Sequence, residues 1–362
     1  KLYWLNDGQA QLASQLQIQP QIQKAKNIIF FLADGTSIAT FTAARILKGY
    51  RSGYYEREQT SWEELPYTGI IKTYSTDNIV TDSAASATAY LSGVKANQAT
   101  IGVDVNVKYG IANRSTGVVT TTRITHASPA GNYAHTANRH WENDDEVNND
   151  DANSEVCDDI AEQLVLSETG TKINVALGGG RRAFLPKEMT DEDGENGRRD
   201  DGKNLRDIWL ASHNTDGHTG VYVGHRDDLL SVDSSTTDYL LGLFSSSHMD
   251  YKVDSVASQP SLEEMTQKAI EILQKNPNGF YLFRTHRSGS PLNEANSALE
   301  EAIEFEKAIS KAVEMTSSDD TLIIVTADHG QPIVSNGYPA RHDSILGINA
   351  TEYLVMLCHY MS

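Results

Sequence analysis

Four short aliphatic runs, each breaking off into polar or glycine-rich residues, constrain this chain more than any other feature of its sequence. Residues 27–32 lead into Ala33-Asp34-Gly35, residues 117–121 into Arg123 to His126, residues 173–177 into three glycines, and residues 322–325 into Thr326-Ala327-Asp328-His329-Gly330. A continuous apolar run of this length marks a strand buried on both faces, and such strands belong to parallel sheets. Between the runs apolar residues recur with helical spacing, most clearly over 261–274 and 296–315, where Ser261 and Glu264 are set as a capping box. Strands alternating with helices predict an α/β fold, a three-layer sandwich with a largely parallel central sheet flanked by helices. Ligands of such sheets sit beyond the carboxyl ends of the strands. Asp34, His126 with Ser128, and Asp328 with His329 all fall there, so three distant stretches are expected to converge on one pocket.

No internal repeat or glycine-serine linker forces a cut, and residues 1–362 are expected to form a single domain. The 30 basic side chains stand against 49 acidic ones, a net charge of −19 that argues against a nucleic-acid partner. An anionic substrate would have to be drawn by metal ions or a focused arginine. No apolar run reaches the roughly 18 to 20 residues of a membrane span. The chain opens at Lys1-Leu2-Tyr3-Trp4 without a signal-peptide pattern and reads as a mature or trimmed chain. Residues 191–203, acidic and then basic and glycine-rich, are expected to form a solvated surface loop. Two sequons, at Asn113 and Asn349, are permissive of secretion and glycosylation, and Cys157 and Cys358 are too few to define a disulfide framework.

Several of these clusters carry chemistry. In Thr81-Asp82-Ser83-Ala84-Ala85-Ser86, small residues crowd a predicted helix start, where amides and dipole favour an anion and Ser83 can act as a nucleophile toward phosphorus. A capped, closely packed helix has the same composition, and that stretch alone does not choose. Asp34 can bridge metals or simply end a strand in an Asp-Gly turn. Asp328 and His329 offer adjacent oxygen and nitrogen ligands directly after a strand, which a structural loop rarely needs. His126 and Ser128 stand two apart and, on an extended chain, face the same side. Arg139 is able to clamp a phosphate through two parallel hydrogen bonds, or to be an ordinary surface residue.

Taken together and in order, Phe30 to Gly35, Val80 to Tyr90, Gly117 to Gly131, Tyr133-Ala134-His135 through Arg139, Gly178 to Arg182, Cys157 to Leu164, Tyr239 to Phe244 and Val325 to Gly330 resemble the animal alkaline phosphatases. The resemblance runs from Trp4 to about Tyr338, with 339–362 a divergent tail. It implies a metal-dependent phosphomonoesterase working at alkaline pH through a phosphoserine, with zinc and magnesium as cofactors. Ser83 would be the nucleophile and a metal ligand, and Arg139 the phosphate clamp. Asp34 would bridge zinc and magnesium, Asp328 and His329 would complete that zinc site, and Ser128 would ligate magnesium with His126 just behind it.

The resemblance breaks in three places. After residues 280–283 the family has Val-Glu-Gly-Gly and then Asp-His-x-His-His, whereas this chain has Arg284-Thr285-His286-Arg287-Ser288-Gly289-Ser290-Pro291-Leu292-Asn293-Glu294. Thr285 replaces the magnesium carboxylate and Ser290 a zinc aspartate, while Glu294, in place of the zinc histidine, is the one residue of the segment able to ligate. The family's later zinc histidine has no counterpart, since His342 and His359 lie outside its motif. The connection 106–114 is too short for a full crossover helix and lacks the family's cysteine, leaving Cys157 without its expected partner. The stretch Phe244-Ser245-Ser246-Ser247-His248 also lacks the acidic residue of the family's calcium site.

Two functional readings follow. One is hydrolysis of phosphate monoesters, slowed by an incomplete zinc site. The other is a catalytically silent relative acting as a binding or cell-surface interaction protein. A sulfatase is disfavoured because neither cysteine begins Cys-x-Pro-x-Arg. The resemblance further implies an extracellular homodimer binding phosphate monoesters and inorganic phosphate. Relatives are often held by a lipid anchor, and because the tail lacks the spacer and apolar stretch of such an anchor, a secreted form is expected.

Overall fold

Seven strands form one sheet in a computed structural model, which describes residues 2–102, 114–287, 295–330 and 345–346. They are β1 (Asn27–Ala33), β2 (Ser115–Arg123), β3 (Val175–Gly179), β4 (Gly220–Val223), β5 (Tyr239–Leu243), β6 (Phe280–His286) and β7 (Thr321–Ala327). Their order is β4-β5-β3-β2-β6-β1-β7, and every pairing is parallel. The helices are α1 (Leu2–Gln17), α2 (Ile38–Ser52), α3 (Ser83–Ser92), α4 (Ala127–Ala130), α5 (Asp144–Asn149), α6 (Ile160–Leu166), α7 (Leu205–His213), α8 (Arg226–Ser231), α9 (Leu262–Leu273) and α10 (Ala295–Met315). The predicted capping box at Ser261 and Glu264 opens α9.

Both sheet faces are covered, as the unbroken apolar runs require. Ile29, Phe31, Val119, Val175, Leu177 and Leu282 point to one side and pack with α9 and α10. Leu32, Val118, Ala176, Leu241 and Phe283 point to the other and pack with α3, α4, α6 and α7. That is the expected three-layer sandwich. Ala43, Ala44 and Leu47 of α2 then pack on Leu299, Ala302 and Ile303 of α10. By contrast α1 buries none of its residues. The edge strand β4 has only four residues and offered no sequence signal.

Residues 191–203 overturn one expectation, for the segment is not a solvated loop throughout. Arg199 is 0% exposed and ion-paired with Asp159 at 2.9 Å and Asp201 at 2.6 Å. Asp191 and Asp193 reach the fully buried Arg181 at 3.0 Å. A charge-rich stretch can be buried where each charge meets its opposite, and composition does not reveal that pairing.

Candidate functional site

The carboxyl ends of β1 and β7 lie side by side, Ala33 level with Ala327, so the residues following them share one place. Asp34 leaves β1, and Gly35 then turns at φ +60°, a conformation suited to glycine. Its amide donates to Asp328 Oδ1 at 2.8 Å, as does the amide of His329, also at 2.8 Å. These two bonds fix the Asp328 carboxylate and leave its Oδ2 buried without a hydrogen-bond partner among the described residues.

Ser83 is the first residue of α3, where the Asp82 side chain caps the helix by accepting from Ala85 N at 3.1 Å. The cap aims Ser83 at the strand ends. Its Oγ lies 3.3 and 3.4 Å from the two oxygens of Asp34 and 3.2 Å from His329 Nε2. Ser128 Oγ donates to Asp34 Oδ2 at 3.0 Å. The expected convergence of three distant stretches is thus present, with Asp34 at its centre.

Arg139 is oriented from two sides. Its Nη1 donates to Asp82 Oδ2 at 2.9 Å and its Nη2 meets His126 Nε2 at 3.0 Å. Burial first, then the charges of Arg139 and Arg123, hold the His126 pKa well below its ordinary value. The ring is therefore neutral. Because an arginine can only donate, Nε2 accepts and Nδ1, which has no partner among the described residues, carries the proton. The geometry corrects one sequence expectation: His126 and Ser128 do not lie on an extended chain facing one side. His126 occupies the position just before the one-turn helix α4 and Ser128 lies within it, so the first addresses Arg139 and the second Asp34.

The pocket contains a set of groups that could hold a cation. Asp34, Asp328 and His329 offer ligand atoms all within 4.8 Å of one another, a set of two oxygens and a nitrogen. Burial, then repulsion from Asp34, push the Asp328 pKa up to about 6. Burial opposes a charge on His329, but Asp328 and Asp34 outweigh it and raise its pKa. Two carboxylates at close quarters and an unsatisfied buried oxygen fit a divalent ion, and this donor set suits zinc. A magnesium site is less complete: beside Asp34 and Ser128, the register places Thr285 next to Leu32 and Thr120, fully buried and without a carboxylate.

Sequence reasoning missed several residues. Tyr90 stands two helical turns from Ser83 on the same face. Burial, with Asp328 and Asp34 adding to it, pushes its phenol well up. Arg123, Glu142 and His248 form a network beside His126, and Arg284 and His286 are buried at the end of β6. Tyr90 was accessible from helical spacing, while His248 meets Arg123 across 125 residues and Glu142 meets it across 19, neither a helix or strand spacing. Among the described residues Cys157 is a half-buried free thiol. Ser290, Glu294, His342, Cys358 and His359 lie outside the described residues.

Comparison with known proteins agrees with the geometry. The family model described as alkaline phosphatase matches residues 25–356. A membrane-bound alkaline phosphatase of Bombyx mori is 41% identical over 352 aligned positions, covering 89% of this chain and 63% of the relative. The tissue-nonspecific isozyme of Gallus gallus is 41% identical, covering 96% of this chain and 72% of the relative. The alkaline phosphatase structure from Thermus thermophilus superimposes with a TM-score of 0.70 at 27% identity, covering 89% of this chain and 64% of that one. The chain thus spans less than two thirds of the silkworm relative.

Proposed function

Because this chain belongs to the alkaline phosphatase family, we propose that it hydrolyses phosphate monoesters at alkaline pH through a phosphoserine on Ser83. The observation that carries this reading is the seat of Ser83 Oγ, at the start of α3 and within 3.2 to 3.4 Å of His329 and Asp34. The first amides of a helix have no partner inside it and favour an anion. Arg139, with two of its five N–H groups held by Asp82 and His126, keeps the others for phosphate oxygens. Ser83 Oγ forms a bond to phosphorus as the ester oxygen leaves with a proton to give the alcohol. Water then displaces Ser83 and releases inorganic phosphate.

Asp34, Asp328 and His329 would hold zinc, with Ser83 as a further ligand, and Asp34 with Ser128 would hold magnesium. When bound, these ions supply positive charge at the attacking and leaving oxygens. An extracellular homodimer goes with this reading. It is supported by α1, which leaves Leu2, Tyr3, Trp4, Leu5, Leu12 and Leu16 exposed, as a helix that packs on a partner would.

A second reading, a silent relative that binds without turnover, is favoured by one observation. Among the described residues, the end of β6 offers Thr285 and the buried ring of His286, but no carboxylate, beside Asp34. Hydrolysis of a chromogenic phosphate monoester at pH 9 to 10, with zinc and magnesium added, separates the two. Turnover that falls at least about a thousandfold in Ser83→Ala is expected. Equal background rates in two folded proteins would remove the hydrolase reading.

A further inference from the structure

Arg181 and Arg182 are neighbours in sequence with opposite surroundings. Gly180, at φ +97°, turns the chain so closely over β2 that a Cβ there would lie 3.0 Å from Arg123 Cβ. Arg181 then enters the core, donating to Leu243 O at 2.9 Å and pairing with Asp191 and Asp193. Arg182 remains half-buried at the carboxyl edge of the sheet, and its guanidinium makes no hydrogen bond or ion pair among the described residues.

Residues 245–248 run beside its backbone. Gly180 N donates to Ser245 O at 2.9 Å and Ser247 O at 2.7 Å, and Arg182 N donates to Ser246 O at 3.2 Å. The hydroxyls of Ser245, Ser246 and Ser247 are engaged by nothing among the described residues. His248 is no acceptor to spare, since both its nitrogens face Arg123, at 3.2 Å from N and 2.6 Å from Nη1. The nearby acids are committed. Glu142 is held by Arg123 at 2.7 and 2.5 Å and by Thr125 at 2.6 Å, and Glu146 accepts from Glu142 N at 3.0 Å. Burial, followed by the charges of Arg198 and Arg123, lowers the Arg182 pKa against the opposing pull of Glu142 and Glu146. In a chain of net charge −19, this is a local excess of cations and free hydroxyl donors.

We propose that Arg182 with Ser245, Ser246 and Ser247 forms a second anion subsite, taking a phosphate-type oxyanion apart from the Ser83 pocket. A free guanidinium and hydroxyl donors match a phosphate group. β3 stands three strand positions from β1, so the subsite lies roughly 14 Å from the pocket along the same sheet edge. The Arg123-His248-His126 contacts lead from one toward Arg139 at the other. The oxyanion is either a second phosphate on an extended substrate or free inorganic phosphate. The subsite does not depend on turnover.

The test is equilibrium dialysis of the full chain, loaded with zinc and magnesium, against labelled inorganic phosphate. Two equivalents are expected, one of them lost in Arg182→Ala with the hydrolysis rate of a small chromogenic monoester unchanged. Should Arg182→Ala misfold by circular dichroism, Ser246→Ala replaces it and weakens the same equivalent. A single equivalent in the unaltered chain, or two that survive both variants, overturns the proposal. For the source, a monoester bearing a second phosphate on an extended spacer is compared with its neutral-ended analogue. A KM that rises about tenfold in Arg182→Ala only for the doubly phosphorylated compound, about 1.4 kcal/mol, assigns a tethered phosphate. Equal KM changes, with the dialysis loss intact, assign free phosphate. An inactive chain that still loses one equivalent would sink the hydrolase reading and leave the subsite standing.

Discussion

The ends of β1 and β6 are neighbours in one sheet and solve the same problem in opposite ways. Beyond β1 and β7, the groups around Asp34 orient one another: Gly35 holds Asp328, Ser128 meets Asp34, and Asp82 caps the helix that aims Ser83. At the end of β6, Arg284 is fully buried between Phe31 and Phe305, with its guanidinium carbon 4.9 and 5.1 Å from the two rings. Its Nη1 makes one long bond, 3.4 Å to Phe305 O, while Nε and Nη2 have no partner among the described residues. Burial holds its pKa well below the ordinary value, and His286 beside it is pushed down to about 3 by burial and then by Arg284. The strand survives because parallel pairing uses backbone groups, which are indifferent to side chain. A ligand site has no such tolerance.

That contrast can be broken most forcefully at its ordered end. Asp328→Asn keeps the shape but removes a charge from the only compact His/Asp/Glu cluster among the described residues. Turnover is expected to fall about a thousandfold, near 4 kcal/mol, with zinc stoichiometry by atomic absorption falling alongside. Unchanged zinc content and rate would show that the β1–β7 corner is not the metal centre.

The β6 end has its own pH signature. Glu301, 3% exposed on α10, has its pKa raised to about 7, chiefly by burial. The folded chain therefore keeps a proton that the unfolded chain, with the ordinary value of 4.5, has lost. Stability from this group is complete below pH 4.5 and declines until about pH 7, by roughly 3 kcal/mol in all. Denaturant midpoints at pH 5 and 8 should differ in that direction, and Glu301→Gln should narrow the gap. If the gap is the same in both proteins, Glu301 is already ionised when folded.

A smaller effect sharpens the comparison from the other direction. Arg284→Met replaces a poorly satisfied buried cation with an apolar chain of similar length, and a gain of about 2 kcal/mol is expected in urea unfolding. A loss of stability would mean that the two aromatic faces and the Phe305 carbonyl satisfy the cation better than their geometry indicates.

Much of the candidate site was legible because its residues follow strand ends. Asp34, Asp328 and His329 sit where apolar runs stop, and Ser83 sits where small residues begin a helix. The strands themselves were recognisable, although β2 and β6 extend further than their aliphatic portions, because Thr120, Arg123 and Arg284 to His286 pair with neighbouring strands through the backbone. The fate of His126 was less legible. An extended-chain argument put it with Ser128, and the turn of α4 separates them.

The sequence by itself determined the parallel α/β sandwich, the order of the motifs and the identity of the groups beyond β1 and β7, since these follow from local hydrophobicity and residue type. Only the tertiary structure decided which charges are satisfied. Among the described residues Arg181 meets three carboxylates and Arg182 none within 4 Å, although they are adjacent. Arg199 is buried in a segment whose composition suggested solvent, and Arg123 is bonded to a histidine 125 residues away. Side-chain chemistry is written position by position, whereas burial and pairing depend on what the fold brings beside each position, and at short range these set the electrostatic energy.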